Sequence, residues 1–328
     1  VEITGHDDPV SAYLDAKKII QIAKDNDCDS VHPGYGFLAE NANFAELCAA
    51  ESITFVGPTA STLGLFGNKV LSRQLAQSLD IPVVPGTSEA VTSSKETHQA
   101  AEKLGYPVML KASAGGGGRG MRRINAADDI NDAFDRCQSE ARAAFGDGTV
   151  FVEKLIENPR HIEVQILADA AGNVIHLYER DCSIQLRNQK VLEIAPAPGL
   201  DEELRRRILE DAIKLAKEAS YVNAGTVEFL VSPETGDHYF IECNPRIQVE
   251  HTVTEQITGI DLVEAQFHIA AGNTLESLGL QQESVKAPTS YAIQARVVAN
   301  GSGVLTAYRE PSGPGVRVDG CGYLGLTP

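Results

Sequence analysis

Two β-rich runs, TVEFLVS at Thr226–Ser232 and HYFIECNPR at His238–Arg246, are joined by Pro-Glu-Thr-Gly-Asp. Such runs around a turn-forming cluster specify a β-hairpin. With the turn centred on Thr235, symmetric pairing sets Glu228 opposite Glu242. Directly opposed residues on adjacent strands stand about 5 Å apart. At an effective dielectric of about 20, two carboxylates at that distance repel by roughly 3 kcal/mol. The pair survives folding if one acid is protonated, if an arginine intervenes, or if a divalent cation bridges them. Asn244, two residues beyond Glu242, faces the same side. Two carboxylates and an amide oxygen make a hard-cation site of the kind that holds Mg²⁺ on nucleotide phosphates. A polar sheet face screened by water is the alternative.

Composition narrows the partners. A formal charge of −17 argues against broad capture of nucleic acid or of anionic membranes. The six cysteines (Cys28, Cys48, Cys137, Cys182, Cys243, Cys321) are scattered without a C-x-x-C pair, which suits a reducing compartment and no structural zinc. No apolar run approaches the roughly 18 residues of a membrane span. At 328 residues the chain has room for two or three domains.

Along the chain, residues 10–26 carry apolar positions at helical spacing, and His32–Phe37 is dense in turn formers. Asn41–Ala50 reads as a helix and Ile53–Val56 as a strand, the tail of a parallel α/β layer. Gly67–Leu79 is helical, and Pro82 and Pro85 mark a linker. Strand Pro107–Lys111 feeds the loop SAGGGGRG at Ser113–Gly120, with a strand at Met121–Ile124 and a long helix from about Ala126 to Phe145. Thr149–Ile156 is a strand, and His161–Ala168 pairs with Asn173–Tyr178. Asp201 caps a helix whose apolar face runs Leu204, Ile208, Ala212, Leu215 and Ala219. After the opening hairpin come a helix at about Asp261–Ala271 and a β-like run at Tyr291–Val298.

The glycine loop contains G-x-G-x-x-G (Gly115, Gly117, Gly120), but a strand follows where a dinucleotide fold requires a helix. No Lys-Ser or Lys-Thr follows it, so it is not a Walker A loop. What remains is a flexible loop between two strands that could close over phosphates as a lid; a plain glycine linker is the alternative, disfavoured by Lys111 at the loop base. Lys69 is a second basic candidate, and Glu153-Lys154 ends a strand that can offer backbone groups to a purine edge. Arg180–Lys190 reads as a long polar loop dense in donors. If Arg246–Glu250 stays extended, Arg246, Gln248 and Glu250 share a face. Together they could grip a small planar oxyanion and take a proton from it, the alternative being a surface ion pair worth about 0–1 kcal/mol.

Taken together, six strings resemble the biotin carboxylase component of biotin-dependent carboxylases, an ATP-grasp family. They are HPGYGFLAEN (His32–Asn41), KASAGGGGRGMR (Lys111–Arg122), ERDCS (Glu179–Ser183), EIAPAPG (Glu193–Gly199), GTVEFL (Gly225–Leu230) and FIECNPRIQVEH (Phe240–His251). The resemblance implies an α+β ATP-grasp fold with an α/β N-terminal remnant, truncated at both ends. Its expected parts are a partial N-terminal α/β domain (1–57), a linker and helix (58–83), a glycine-lid subdomain (84–155), a central catalytic subdomain (156–280) and a partial C-terminal subdomain (281–328).

The same resemblance implies carboxylation of carrier-bound biotin by bicarbonate, driven by ATP with Mg or Mn. Lys69, Lys111 and the loop glycines Gly115, Gly116, Gly117 and Gly118 would contact the nucleotide. Glu153, Lys154 and Ile156 would frame its base, and His161, Gln185 and Asn188 would help hold it. Glu228, Glu242 and Asn244 would carry the metal. Arg246, Gln248 and the Val249 backbone would hold bicarbonate, Glu250 would be the base, Lys190 would support carboxyphosphate, and Arg296 would stabilise the biotin enolate. Expected partners are a biotin carboxyl carrier protein or domain, a carboxyltransferase and further copies of the chain, in the cytoplasm or mitochondrial matrix, with neither nucleic acid nor membrane.

The family pattern has arginine and histidine where this chain has Leu186 and Asn188, and a longer acidic loop after Arg296. It also has a strand–helix unit before Val1 and more chain beyond Pro328, so a section of a longer carboxylase is expected. The rival readings are another ATP-grasp carboxylate ligase and a non-catalytic nucleotide-binding module.

Overall fold

A computed structural model describes residues 9–112, 120–187, 189–299 and 303–326. Two compact units are present, Val1–Gln294 and Ala295–Pro328. In the second, Leu305 and Leu326 are tied by a backbone hydrogen bond of 2.8 Å.

The first unit begins with α1 (Pro9–Ala12) and α2 (Ala16–Asp25), where one helix was expected. Asp15 causes the break, because its carboxylate accepts from Lys18 N–H and caps a new helix. β1 (Ser30–Val31), α3 (Ala42–Ala50, capped by Asn41) and β2 (Thr54–Phe55) follow, with β1 and β2 parallel as the alternation predicts. Next come α4 (Ala60–Gly67), which the sequence reading missed, and α5 (Lys69–Ser78), capped by Asn68.

Pro82–Thr87 is not a free linker. Val83 bridges to Phe240 and Gly86 to Glu153, so the segment is hydrogen-bonded to two different sheets. A Cβ at Gly86 would lie 2.8 Å from the Val152 carbonyl oxygen, so only glycine permits that approach.

Two layers carry the site. In the smaller, α6 (Ser94–Leu104) and α7 (Ile130–Phe145) cover an antiparallel sheet of β3 (Val108–Ala112), β4 (Met121–Ile124) and β5 (Val150–Lys154), ordered β4-β3-β5. Val108, Leu110, Ile124, Val150 and Val152 are buried against Phe134 and Cys137 of α7.

The larger sheet contains β6 (Arg160–Ala168), β7 (Val174–Leu186), β8 (Gln189–Ala195), β9 (Asn223–Val231), β10 (His238–Asn244) and β11 (Ala292–Ala295), ordered β10-β9-β6-β7-β8-β11. The supposed polar loop Arg180–Lys190 is therefore mostly strand, the end of β7 returning as β8. Its polar residues alternate across a sheet, and a pattern of mixed polarity hid the period.

α8 (Glu202–Glu218), capped by Asp201 as expected, packs on one face, where Leu204, Ile208, Ala212 and Leu215 meet Ile162, Val164, Ile166, Val227 and Phe229. The opposite face is divided. At one end Leu167, Ile175, Leu177 and Ala224 pack on Leu262, Ala265 and Ile269 of α10 (Leu262–Ala270). The other end is polar and lies beside α9 (His251–Thr258).

Candidate active site

The polar end follows from strand register. Arg180 pairs with Glu163, Glu163 with Glu228, and Glu228 with Glu242. One arginine and three glutamates thus form a row across β7, β6, β9 and β10. The predicted pairing of Glu228 with Glu242 holds, but the hairpin is not symmetric. His238 pairs with Val231 and Phe240 with Phe229, and the register then shifts by one residue before Glu242. This bulge at Ile241 lets Phe240 and Cys243 both enter the core under α8 while Glu242 stays with Glu228. Strict alternation would have put Glu242 on the face of Phe240.

Three cations meet these acids. Lys190 Nζ donates to Glu228 Oε1 at 3.0 Å and to Glu250 Oε1 at 2.6 Å, and it is ion-paired with Glu163. His161 Nε2 lies 2.7 Å from Glu228 Oε2 and 3.0 Å from Glu163 Oε1. Arg180, fully buried, donates through Nε to Glu163 Oε2 at 2.9 Å. Gln185 Nε2 lies 3.4 Å from His161 Nδ1. Glu228 Oε1 also accepts from Asn244 Nδ2 at 2.8 Å and from Gln248 Nε2 at 3.0 Å. The Asn244 amide therefore turns its nitrogen, not its oxygen, toward the acids. Arg246 Nη2, a donor only, claims the oxygen at 3.1 Å.

Electrostatics divides the acidic couple unevenly. Burial would raise the Glu228 pKa, but Lys190 and His161 outweigh it and hold the carboxyl far below its ordinary range. Glu242 is raised instead, by burial and then by the Glu228 charge, with Lys69 opposing. Burial would lower Lys190, yet Glu163, Glu228 and Glu250 raise it. His161 rises to about 10, since Glu228 and Glu163 overcome its burial. Four carboxylates (Glu163, Glu228, Glu242, Glu250) thus face Arg180, Lys190 and His161, with Lys69 acting on Glu242 as a fourth cation. A hard divalent cation fits the oxygen-rich donor set of Glu228 and Glu242.

Arg246–Glu250 does not stay extended, because the chain leaves the sheet after Asn244 and turns into α9. Its three side chains still reach the acid row: Arg246 at Asn244, Gln248 at Glu228 and Glu250 at Lys190. Val249 sits in the turn between the last two. Arg246 Nε also donates to Glu40 Oε1 at 2.5 Å, a partner from the N-terminal segment that the sequence reading did not name.

Of the nucleotide candidates, Lys111, Glu153 and Lys154 lie on the smaller sheet, while His161 and Gln185 lie on β6 and β7 of the larger one. Lys111 Nζ lies 2.6 Å from Glu153 Oε2, and Arg73 Nη1 lies 3.3 Å from Glu153 Oε1. Lys154 Nζ donates to the carbonyls of Gly105 and Tyr106 at 2.8 and 3.1 Å. Ile156 lies two residues past β5, and Lys69 opens α5. Gly115, Gly116, Gly117, Gly118 and Asn188 lie outside the described residues. Arg296 belongs to the second unit, one residue past β11.

Glu163 was missed as a site residue, and Arg180 was read only as the start of the donor-dense stretch Arg180–Lys190. The signal was present in His161-Ile162-Glu163-Val164-Gln165, whose strict alternation aims every polar residue at one face.

A glycine-associated three-stranded layer, a larger antiparallel sheet and an acid row on its open face define an ATP-grasp protein. The chain belongs to the biotin carboxylase family. Residues 1–63 match the biotin carboxylase N-terminal domain, and residues 68–278 match the carbamoyl-phosphate synthase L chain ATP-binding domain. A crystal structure of a biotin carboxylase complex from Campylobacter jejuni superposes with a TM-score of 0.92 at 44% identity, covering 97% of this chain and 71% of that one. The biotin carboxylase domain of Hydrogenobacter thermophilus 2-oxoglutarate carboxylase, solved with MgADP and bicarbonate, gives 0.93 at 43%, covering 99% and 72%. Human mitochondrial pyruvate carboxylase is 51% identical over 319 residues, 95% of this chain and 27% of that protein. The chain spans about a quarter of the length of the curated relatives it matches. Among the described residues, no helix is long and apolar enough to cross a membrane.

Proposed function

We propose that the chain is the biotin carboxylase module of a biotin-dependent carboxylase. The observation that carries this reading is the Glu250–Lys190–Glu228 chain, with Gln248 donating to Glu228 beside it. One ammonium joins the acid suited to take a proton from bicarbonate to the acid suited to hold metal on ATP.

In this reading Lys69 and Lys111 bind the phosphates of ATP, and Glu153, Lys154 and Ile156 frame its base. Glu228 and Glu242 would hold Mg²⁺ or Mn²⁺, joined by Asn244 once its amide oxygen turns from Arg246 toward the acids, and the ion would supply positive charge to offset that of the triphosphate. Arg246, Gln248 and the Val249 backbone hold bicarbonate. Glu250 accepts its proton as the oxygen attacks the γ-phosphorus, and the bond to ADP breaks to give carboxyphosphate. Lys190 lies where the new anion forms and offsets its charge. Arg296 then stabilises the enolate of carrier-borne biotin. Partners are a biotin carrier domain, a carboxyltransferase and a second copy of the chain, in the cytoplasm or mitochondrial matrix.

The test is ADP formation from Mg-ATP, with and without bicarbonate and free biotin. Dependence on both supports the reading. Dependence on a different carboxylate indicates another ATP-grasp ligase, and Mg-ATP binding without turnover indicates a non-catalytic module.

A further inference from the structure

Arg180 is the largest fully buried side chain among the described residues, and no step above uses it. Its guanidinium is shared among five side chains. Nε donates to Glu163 Oε2 at 2.9 Å, and Nη1 to Gln165 Oε1 at 2.8 Å and Thr254 Oγ1 at 3.3 Å. Nη2 donates to Thr226 Oγ1 at 2.9 Å and Gln248 Oε1 at 2.6 Å. These partners come from β6, β9, the turn before α9 and α9 itself.

The bond to Gln248 has a chemical consequence. Guanidinium has only donors, so the atom of Gln248 that meets it must be the amide oxygen. The amide nitrogen must then face the other way, where its N–H reaches Glu228 Oε1 at 3.0 Å. A glutamine pinned on one side by a buried arginine cannot flip, and Gln248 is only 3% exposed. It therefore presents a fixed donor to the acid end of the sheet.

We infer that Arg180 is a positioning residue that fixes the donor polarity of Gln248 and so sets affinity for an oxyanion substrate. The inference rests on the reading of Gln248 as a bicarbonate ligand. Arg180 itself touches no substrate and acts through the amide, while its bond to Glu163 secures the row that holds Lys190.

The test uses the whole chain with Arg180→Lys, which keeps a cation beside Glu163 but loses the fork that reaches Gln248. Thr226→Val is a second variant that removes one acceptor of the same Nη2 without stranding a charge, for use if Arg180→Lys fails to fold. Initial rates of ADP formation are measured against bicarbonate and against ATP separately. Misplaced binding groups cost up to about 100-fold in rate, so the expected result is a bicarbonate KM raised about tenfold or more, with the ATP KM changed less than about twofold. Parallel changes in both constants and in kcat, or no change, would overturn the inference. Hydrogen exchange of the Gln248 side-chain amide, followed by NMR without substrates, gives an answer independent of turnover. Slow exchange in the parent chain and loss of protection in the variant support the pinning; equal exchange in both refutes it, whether or not the chain proves to be a biotin carboxylase.

Discussion

Lys190 Nζ lies 2.6 Å from Glu250 Oε1 and 3.0 Å from Glu228 Oε1, and it is ion-paired with Glu163 as well. One ammonium therefore neutralises acids from three separate segments of the chain. Replacing it by Lys190→Met leaves those buried carboxylates without their shared cation. Removing one partner of a buried pair costs about 3–5 kcal/mol. Urea unfolding of the variant at neutral pH should show a loss of that order, together with loss of ADP formation.

Glu228 and Glu242 face each other, yet they should respond oppositely to neutralisation. Glu228→Gln discards the charge that binds Lys190 and His161, and hydrogen bonds to charged groups carry about 1.5–3 kcal/mol each. Glu242→Gln removes a carboxyl already disfavoured by burial and by its neighbour. Without divalent cations, Glu228→Gln should melt below the parent chain and Glu242→Gln at or above it. Both should lose turnover with Mg-ATP. An equal drop in melting temperature for the two would contradict the unequal charge division.

Glu250→Gln should retain Mg-ATP binding by calorimetry while ADP formation no longer responds to bicarbonate. The carboxylate stands next to Lys190, outside the lysine pair assigned to the phosphates, which is why binding and turnover should separate. An unchanged bicarbonate response would exclude Glu250 as the base.

His176 on β7 gives a pH test away from the site. Burial lowers its pKa to about 4, and its ring meets the edge of Tyr178 at 5.2 Å. An unfolded histidine titrates near 6.5, so between about pH 6.5 and 4 the unfolded chain binds the extra proton. Stability therefore falls as pH drops through that window. His176→Asn retains an acceptor for Tyr178 N–H and should flatten the slope by up to one proton, about 1.4 kcal/mol per pH unit. Urea midpoints at pH 4.5 and 7 measure the difference.

Much of the larger sheet was legible in the sequence because its strands are rich in β-branched and aromatic residues and bounded by turn residues. The pairing of Glu228 with Glu242 followed from counting inward from Thr235, but its cause did not. The bulge at Ile241 depends on Phe240 and Cys243 both seeking the core, which a local pattern does not reveal. The pairing of Arg180 with Glu163 escaped notice because a buried ion pair has the same composition as an exposed one. Only the pairing of β6 with β7 makes them neighbours. Asp15 and Asn68 show the limit at helix ends, where a single capping side chain, a carboxylate in one and an amide in the other, decides between one helix and two.

The extra residue at Ile241 also separates the hairpin into two mechanically distinct halves. The tip, with His238 against Val231, keeps its own count, and the acids keep another. Turns grafted from related chains onto Ser232–Asp237 should therefore be interchangeable without rotating a single carboxylate. Deleting Ile241 alone should merge the two counts into one continuous register, with Glu242 still opposite Glu228 and Cys243 still opposite Val227.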